Sequence, residues 1–326
     1  MHTIAAGSGE DPFRVLPDEL LRHVLSFLPA DDALQTCVLD TRWRDLWRRA
    51  TSLILFFDKR SSACSCECFE QLAKLVTNLR GHSPLVKCEI NVYPGDPPEA
   101  FTNTTKLLID YVLAYQTEEL TLSPVDLEDF EGLTPFLENM PLLQTTHVNL
   151  DDGCHDHCCS NRGVCDNFVC GCHTYPVKEG VLLNGLSNAA KLDLIALPKM
   201  FLYRWDLKWC PVFGKLKTLL LNKWFTAIDL VCILQHSPVL EMLTLRFDNT
   251  KNIVGATGAQ ETIKQPLTCA CLKFVYIECE KVDKGVREIL NMLGRFGILR
   301  DQISIKEDPR PDSDYSSADS DSTDSD

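Results

Sequence analysis

A cluster of cysteine and histidine side chains between residues 154 and 173 is the part of the sequence best suited to chemistry. Its nine members are Cys154, His155, His157, Cys158, Cys159, Cys165, Cys170, Cys172 and His173. Thiolate sulfur and imidazole nitrogen are ligands that Zn²⁺ prefers, four of them arranged in a tetrahedron. A zinc site is therefore one interpretation, and its candidate ligands are Cys154, Cys159, Cys165, Cys170 and Cys172.

The spacing of these cysteines leaves two other interpretations open. The C-x2-C pairs typical of structural zinc sites are missing, since four, five, four and one residues separate the candidate ligands. The same spacing resembles five of the six cysteines of an epidermal-growth-factor-type disulfide module, but residues 173–209 contain no sixth cysteine. A reduced loop without any cofactor is the remaining interpretation, and it is the one that we expect.

Catalytic motifs do not accompany the cluster. The sequence contains no G-x-S-x-G nucleophile elbow, no H-E-x-x-H helix and no glycine-rich phosphate or dinucleotide loop. We therefore expect a protein that is not an enzyme and has no active site of its own.

Composition and charge exclude several classes of protein. The 326 residues are 45% hydrophobic and 24% charged, which is typical of a globular protein and excludes a chain disordered throughout. The net charge is −14, so we expect no binding to nucleic acid, which requires basic surfaces that neutralise phosphates. No apolar run approaches the roughly 18 residues that a membrane-spanning helix needs, and we expect no membrane partner.

The first residues, MHTIAAGSGEDPF, bear on the compartment. They lack the basic and apolar regions of a secretion signal. We therefore expect the protein in the cytoplasm, the nucleus or both, where cysteines stay reduced. Single cysteines in apolar surroundings (Cys37, Cys88, Cys232 and Cys279) are expected to pack as small hydrophobic side chains.

A repeated strand pattern precedes and follows the cysteine cluster. Segments of the form L-x-x-L-x-L, or shorter versions of it, end at positions 92, 122, 150, 194, 221, 245 and 277. Five of the six intervals between them are 24 to 32 residues, on or just above the period of leucine-rich repeats. The remaining interval is 44 residues, and removing residues 153–173 brings it to 23. The pattern predicts a solenoid over residues 84–280 with the Cys/His-rich segment 153–173 as an insertion.

The residues before the repeats predict three short helices. Pro17 suits a first helical turn, and the apolar residues that follow recur at three- and four-residue intervals until Pro29. Asp31 or Asp32 is the predicted cap of a second helix, and the segment T-R-W-R-D-L-W-R-R predicts a third. Three such helices in about 40 residues are too small for a self-sufficient core, so they need a partner surface.

These residues resemble an F-box. The resemblance rests on L-P-D-E-L-L at 16–21, V-L-S-F-L-P at 24–29, D-A at 32–33, T-C-V-L at 36–39 and R-W-R-D-L-W at 42–47. Two positions depart from the plant-type pattern, Asp40 and Thr41, where a small residue and a basic one are common. The resemblance implies binding to a Skp-type adaptor through residues that form or support an apolar contact: Leu16, Pro17, Leu20, Leu21, Val24, Leu25, Leu28, Val38, Trp43 and Leu46.

The end of the chain extends the resemblance. Residues 272–306 are similar to the FBD-type region that follows leucine-rich repeats in plant F-box proteins. Within them, Val286, Ile289, Leu290 and Leu293 predict an apolar helix face, and Gly297 a helix stop. Residues 307–326 carry eight acidic residues and one arginine, so we expect a disordered acidic tail.

The expected fold is therefore α/β, with an N-terminal three-helix F-box followed by an irregular leucine-rich-repeat solenoid. The expected units are the F-box (12–52), the solenoid (84–280), an FBD-like cap (281–306) and the tail (307–326). The resemblance to the plant F-box/leucine-rich-repeat (FBD-like) family implies a substrate-recognition subunit of an Skp–cullin–F-box ubiquitin ligase. Its partners would be the Skp-type adaptor, a cullin bound through that adaptor, and a protein target on the repeats. The alternative is a metal-dependent binding protein that uses the Cys/His-rich insertion.

Overall fold

The computed structural model of the chain describes residues 12–58, 65–93, 99–115, 117–125, 137, 140–150, 182–196, 203, 206–222, 224–247 and 270–308. Within these residues the architecture is mixed α/β, with a helical unit followed by one parallel sheet. None of the described helices is both long and apolar enough to cross a lipid bilayer.

Three short α-helices build the N-terminal unit: α1 (Asp18–Leu25), α2 (Ala30–Gln35) and α3 (Trp43–Leu46). Single turns of 3-10 helix at Pro12–Val15, Thr36–Val38 and Trp47–Arg49 surround them. The residue before α2 is Pro29, and no side chain caps the helix. Asp31 and Asp32 lie in the first turn of α2, so the prediction that one of them caps it is wrong. Carboxylates in a first turn still favour the helix by complementing its dipole.

Nine parallel strands form the sheet, and each strand pairs with the one that follows it in the chain. They are β1 (Ser52–Asp58), β2 (Lys87–Tyr93), β3 (Glu119–Val125), β4 (Thr145–Leu150), β5 (Lys191–Ala196), β6 (Thr218–Asn222), β7 (Met242–Phe247), β8 (Phe274–Cys279) and β9 (Ile303–Glu307). All seven predicted strand segments lie in β2 to β8, which confirms that part of the prediction.

Helices connect several of the strands. They are α4 (Cys66–Arg80), α5 (Glu99–Tyr115), α6 (Ala227–Gln235) and α7 (Lys284–Arg295). In α7 the residues Val286, Ile289 and Leu293 are buried, as the apolar pattern predicts. The Asp283 side chain caps α7 by accepting a hydrogen bond from the Val286 N–H at 3.0 Å. Gly297 follows α7 with a φ of 82°, a backbone conformation that favours glycine.

Alternation of side chains along the strands creates the core. On β4 and β5 every second residue is buried, and the helices cover this face of the sheet. One buried row crosses eight strands in register, with members Leu55, Ile90, Leu122, Val148, Leu194, Leu221, Leu245 and Ile277. This core is continuous with that of the N-terminal unit, so the two share one hydrophobic cluster.

A hydrogen-bond ladder repeats where the strands begin. The carbonyl of Thr51, one residue before β1, accepts from the N–H groups of Val86 (2.8 Å) and Lys87 (3.1 Å) at the start of β2. The Val86 carbonyl accepts from residues 118 and 119 at the start of β3 in the same way. The pattern recurs at every junction up to β8, so successive units stack with the same backbone geometry although their lengths differ.

The described part of the chain continues past the predicted C-terminal helix into a strand. β9 pairs in parallel with β8, and its last residue is Glu307, where the predicted acidic tail begins. Residues 309–326 lie outside the described residues, so the expectation of a disordered tail stays a prediction.

Candidate functional site

Helix α1 carries two apolar stripes that face in different directions. Leu21 and Leu25 are 0% and 2% exposed and belong to the core. Leu20 and Val24 are 49% and 41% exposed, although each is the immediate neighbour of a buried leucine. Since residues four apart lie on the same helix face, Leu20 and Val24 form an apolar stripe directed to solvent.

The ten residues predicted for adaptor binding divide between the core and the surface. Buried are Leu21, Leu25, Trp43 and Leu46. Leu16 and Leu28 are half-buried and pack against the same core. Exposed are Pro17, Leu20, Val24 and Val38. The sequence alone could not make this division, because all ten residues follow the same apolar pattern.

Several exposed apolar residues of the helical unit were not among those predicted. Val15, Phe27 and Leu39 are all exposed, and Phe27 lies two residues beyond the end of α1. The ring of His23 packs edge-on against Phe27 with centroids 4.9 Å apart. Their positions in the sequence could have indicated them, because each is adjacent to a residue that was predicted for adaptor binding. The adjacent residues are Leu16, Leu28 and Val38.

Arg42 holds the start of α1 against the third helical segment. Its Nε donates to the Asp18 carboxylate at 2.7 Å, and its Nη2 lies 2.6 Å from the same oxygen. The guanidinium also donates to the carbonyl oxygens of Phe13 (3.2 Å) and Leu16. The Arg42 side chain therefore holds both the backbone that precedes α1 and Asp18, the first residue of the helix.

A second arginine joins the helical unit to the sheet region. Arg80, at the end of α4, is buried and donates to the carbonyl oxygens of Trp47 (3.2 Å) and Ala50 (2.6 Å). The Trp47 carbonyl belongs to the last helical turn of the N-terminal unit and also accepts from the Ala50 N–H at 3.2 Å, whereas the Ala50 carbonyl lies just beyond that turn, where helical partners run out. Arg80 therefore caps this unit from the neighbouring helix and sets its position relative to β1.

The open face of the sheet is a second candidate surface. Its middle row crosses β2 to β8 in register as Glu89, Thr121, His147, Asp193, Leu220, Thr244 and Tyr276. His147 Nδ1 lies 3.4 Å from the Asp193 carboxylate. Arg246 Nε donates to Glu278 at 2.7 Å between β7 and β8. The face is mostly polar with aromatic residues towards β8, a composition suited to contacting another protein.

Charge pairs also line the edge where the strands begin. Lys273 Nζ donates to Glu241 at 2.5 Å. This hydrogen bond holds the pKa of Glu241 below its ordinary value and raises the pKa of Lys273. Both groups stay charged at neutral pH, so this edge carries fixed charges of both signs.

The predicted zinc ligands of the Cys/His-rich segment, Cys154, Cys159, Cys165, Cys170 and Cys172, lie outside the described residues. Their metal or redox state therefore stays a prediction. A separate cysteine-containing run, C-S-C-E-C at 64–68, includes the start of α4 at Cys66. Ser65 caps that helix by accepting from the Cys68 N–H at 3.2 Å.

Comparison with known families decides what the helical unit is. The F-box domain family matches residues 13–54. Residues 13–54 are an F-box domain. The match includes the first residues of β1, so the family pattern extends from the helices into the sheet.

Similar proteins of Arabidopsis thaliana support the wider resemblance. An FBD-associated F-box protein is 42% identical over 89 residues, which cover 26% of this chain and 19% of the relative. A putative FBD-associated F-box protein is 40% identical over 65 residues, covering 20% and 36%. An F-box/FBD/LRR-repeat protein is 55% identical over 40 residues, covering 12% and 9%. The predicted similarity to plant F-box/FBD-like proteins is thereby confirmed, and the matched segments span about a third or less of each of these relatives.

Proposed function

We propose that this F-box protein is the substrate-recognition subunit of an Skp–cullin–F-box ubiquitin ligase. The observation that carries the proposal is an F-box whose helices expose apolar side chains although a complete core lies directly beneath them. Val38 is 86% exposed and its neighbour Leu39 is also largely in solvent, which is unfavourable for apolar groups that no partner covers.

The exposed residues of the F-box form the adaptor contact in this proposal. They are Pro17, Leu20, Val24 and Val38 from the predicted set, with Val15, Phe27 and Leu39 added. The buried members, Leu21, Leu25, Trp43 and Leu46, support that contact from within the core. Interfaces of this kind depend on a few apolar anchors, each costing about 2 kcal/mol or more when truncated.

The remainder of the chain is proposed to be an irregular leucine-rich-repeat solenoid that binds the protein target. Support comes from the consecutive parallel strands and from the hydrogen-bond ladder that recurs at the strand starts. Asn222 adds to this regularity, because its side chain pairs with both backbone groups of Ala196 on the adjacent strand (2.9 and 2.8 Å). The open sheet face is the proposed target surface, with residues 281–306 as the cap.

Catalysis in this scheme comes from proximity. A target held on the open face is brought close to an enzyme that carries ubiquitin, and holding reactants together removes much of the entropic barrier. This chain supplies binding energy and orientation, and we propose that it acts in the cytoplasm, the nucleus or both.

Co-precipitation from plant cells tests the proposal. The wild-type chain is expected to capture both a Skp-type adaptor and a cullin. A Val38→Asp/Leu39→Asp variant is expected to lose both, because charge is introduced into an apolar contact. The matched control is Val212→Asp/Leu142→Asp, which alters one valine and one leucine that are exposed outside the F-box. Undiminished capture by the F-box variant, or equal loss in the control, would contradict the proposal.

A further inference from the structure

Three metal-binding side chains from two segments of the chain meet beside helix α6. Cys232 lies within α6, His236 directly follows its last residue, and Cys210 follows the 3-10 helix Leu207–Trp209. One ligand atom from each of the three lies within 4.8 Å of the others. Ligand atoms of a tetrahedral zinc site are about 3.5 to 3.8 Å apart, so the three atoms must approach one another by at most about 1 Å to hold the ion.

The backbone sets the orientation of the histidine. His236 Nδ1 lies 2.8 Å from the Cys232 carbonyl oxygen, and 4.0 Å from the Cys232 sulfur. A carbonyl only accepts hydrogen bonds, so Nδ1 carries the proton in this arrangement and Nε2 offers its lone pair to a metal; a ring rotation that breaks this hydrogen bond would offer Nδ1, the nitrogen nearer to the Cys232 sulfur, instead. Histidines that bind metals commonly have this arrangement, with the second ring nitrogen donating to a backbone carbonyl.

Cys210 is held beside the helix by the main chain. The Phe213 N–H donates to the His236 carbonyl at 2.8 Å, which joins the loop after Cys210 to the end of α6. All three ligand residues are half-buried, so an ion can reach them from solvent while their positions stay restricted.

Two carboxylates lie close enough to the cysteine pair to act on it through their negative charge, which favours a bound cation. Asp206 and Asp229 place negative charge near the pair, and His236 is the other titratable neighbour among the described residues. Asp206 accepts hydrogen bonds from the N–H groups of Leu182 and Leu183, and Asp229 accepts one from the Thr226 N–H. Because both carboxylates are bonded to these groups, they act on the cysteine pair through their negative charge.

We propose that Cys210, Cys232 and His236 form a zinc-binding site with a water molecule as the fourth ligand. Binding displaces the remaining thiol protons to solvent, and the two thiolates then neutralise the charge of the ion. The site lies on the helical side of the sheet and does not depend on adaptor binding or on the Cys/His-rich segment.

Alkylation of the intact wild-type chain tests the site without any substitution. The reduced chain is treated with iodoacetamide in the presence of zinc or of a chelator, and each cysteine peptide is quantified by mass spectrometry. Zinc is expected to slow alkylation of Cys210 and Cys232 roughly tenfold or more, because a metal-bound thiolate is a poor nucleophile. Cys271, which is exposed, serves as the internal control and should react equally in both samples.

Two results of that experiment would overturn the proposal. One is equal reactivity of Cys210 and Cys232 with and without zinc. The other is a Cys210–Cys232 disulfide that zinc and reductant leave unchanged, since the pair would then be a structural crosslink.

Cobalt binding separates this site from the Cys/His-rich segment. In a chain with Cys154, Cys158, Cys159, Cys165, Cys170 and Cys172 all replaced by serine, one Co²⁺ is expected to bind with thiolate-to-cobalt absorption. Cys210→Ser and Cys232→Ser should each remove about half of that absorption, since one of two thiolates is lost. His236→Gln should weaken cobalt binding roughly tenfold or more while the absorption remains. Cys271→Ser is the control, and absorption that none of the three site substitutions changes would overturn the proposal.

Discussion

Apolar residues are distributed differently between core and surface in the F-box and in the sheet. Across the sheet, alternation sends nearly every apolar residue of the central strands into the core, and the opposite face is mostly polar. In the F-box, neighbouring residues of α1 divide, with Leu21 and Leu25 inside and Leu20 and Val24 outside. The sheet buries its apolar residues in its own core, which stabilises the fold. The F-box leaves some of its apolar side chains exposed, which suits it to association with another protein.

The largest expected effect is in the sheet region. Trp224 is fully buried, donates from Nε1 to the Leu194 carbonyl at 3.0 Å and packs against Tyr203. Trp224→Ala should lower the free energy of unfolding by about 3–5 kcal/mol, as measured by urea denaturation. Phe274→Ala on the open face is the control and should cost under about 1 kcal/mol. Similar losses of unfolding free energy in the two variants would contradict the distinction between the buried face and the open face of the sheet.

Helix α1 offers the same comparison within a single element. Leu25→Ala should cost about 3 kcal/mol because it leaves a cavity in the core. Val24→Ala, one residue away, should change stability by under about 1 kcal/mol, since its side chain is largely in solvent. Urea denaturation of both variants measures the difference, and equal losses would show that α1 does not have separate core and surface stripes.

Arg80 tests the connection between the two regions. Arg80→Met removes the side-chain donor to the carbonyls of Trp47 and Ala50, of which Trp47 keeps its bond from the Ala50 N–H, and this loss should cost about 2 kcal/mol. Differential scanning calorimetry should show a lower melting temperature for this variant. Arg49→Met, at an exposed position of the F-box, is the control. Equal melting temperatures for the two variants would show that the F-box does not depend on this cap.

The smallest expected effect is on the open face. Arg246 and Glu278 form an ion pair that is about 40% exposed on both sides, so water and salt screen the attraction. Arg246→Gln should change the free energy of unfolding by less than about 1 kcal/mol, and the difference should shrink further at high salt. A loss of several kcal/mol in urea denaturation would show that this face contributes to stability and is not free for binding.

The sequence predicts the sheet better than the F-box surface, for a physical reason. Strand alternation has a period of two residues, so L-x-L segments specify both the strand and its buried face, as β2 to β8 show. β1 was missed because S-L-I-L-F-F-D is apolar almost throughout and follows the helices directly. β9 was missed because most of its residues are exposed, which leaves little alternation to detect.

Contacts between distant residues explain the other omissions. Which apolar residues of α1 are buried depends on α3 and on the 3-10 turn Trp47–Arg49, which pack against it, and neither can be read from the period of the helix. Cys232 packs against the core as predicted for a small hydrophobic residue, but its position beside Cys210 and His236 was not predicted. The C-x3-H spacing at the end of α6 was visible in the sequence, but the approach of Cys210 depends on how the preceding loop folds.

Titration of the purified full chain with a Skp-type adaptor in a calorimeter tests the central claim most directly. Leu20→Asp/Val24→Asp alters the exposed stripe of α1, and Leu75→Asp/Leu79→Asp on α4 is a matched control with the same spacing and similar exposure. The account predicts that the α1 variant weakens adaptor binding at least roughly tenfold with an unchanged melting temperature, while the α4 variant binds as the wild type does. Wild-type affinity in the folded α1 variant would contradict the claim that the exposed F-box residues form the adaptor contact.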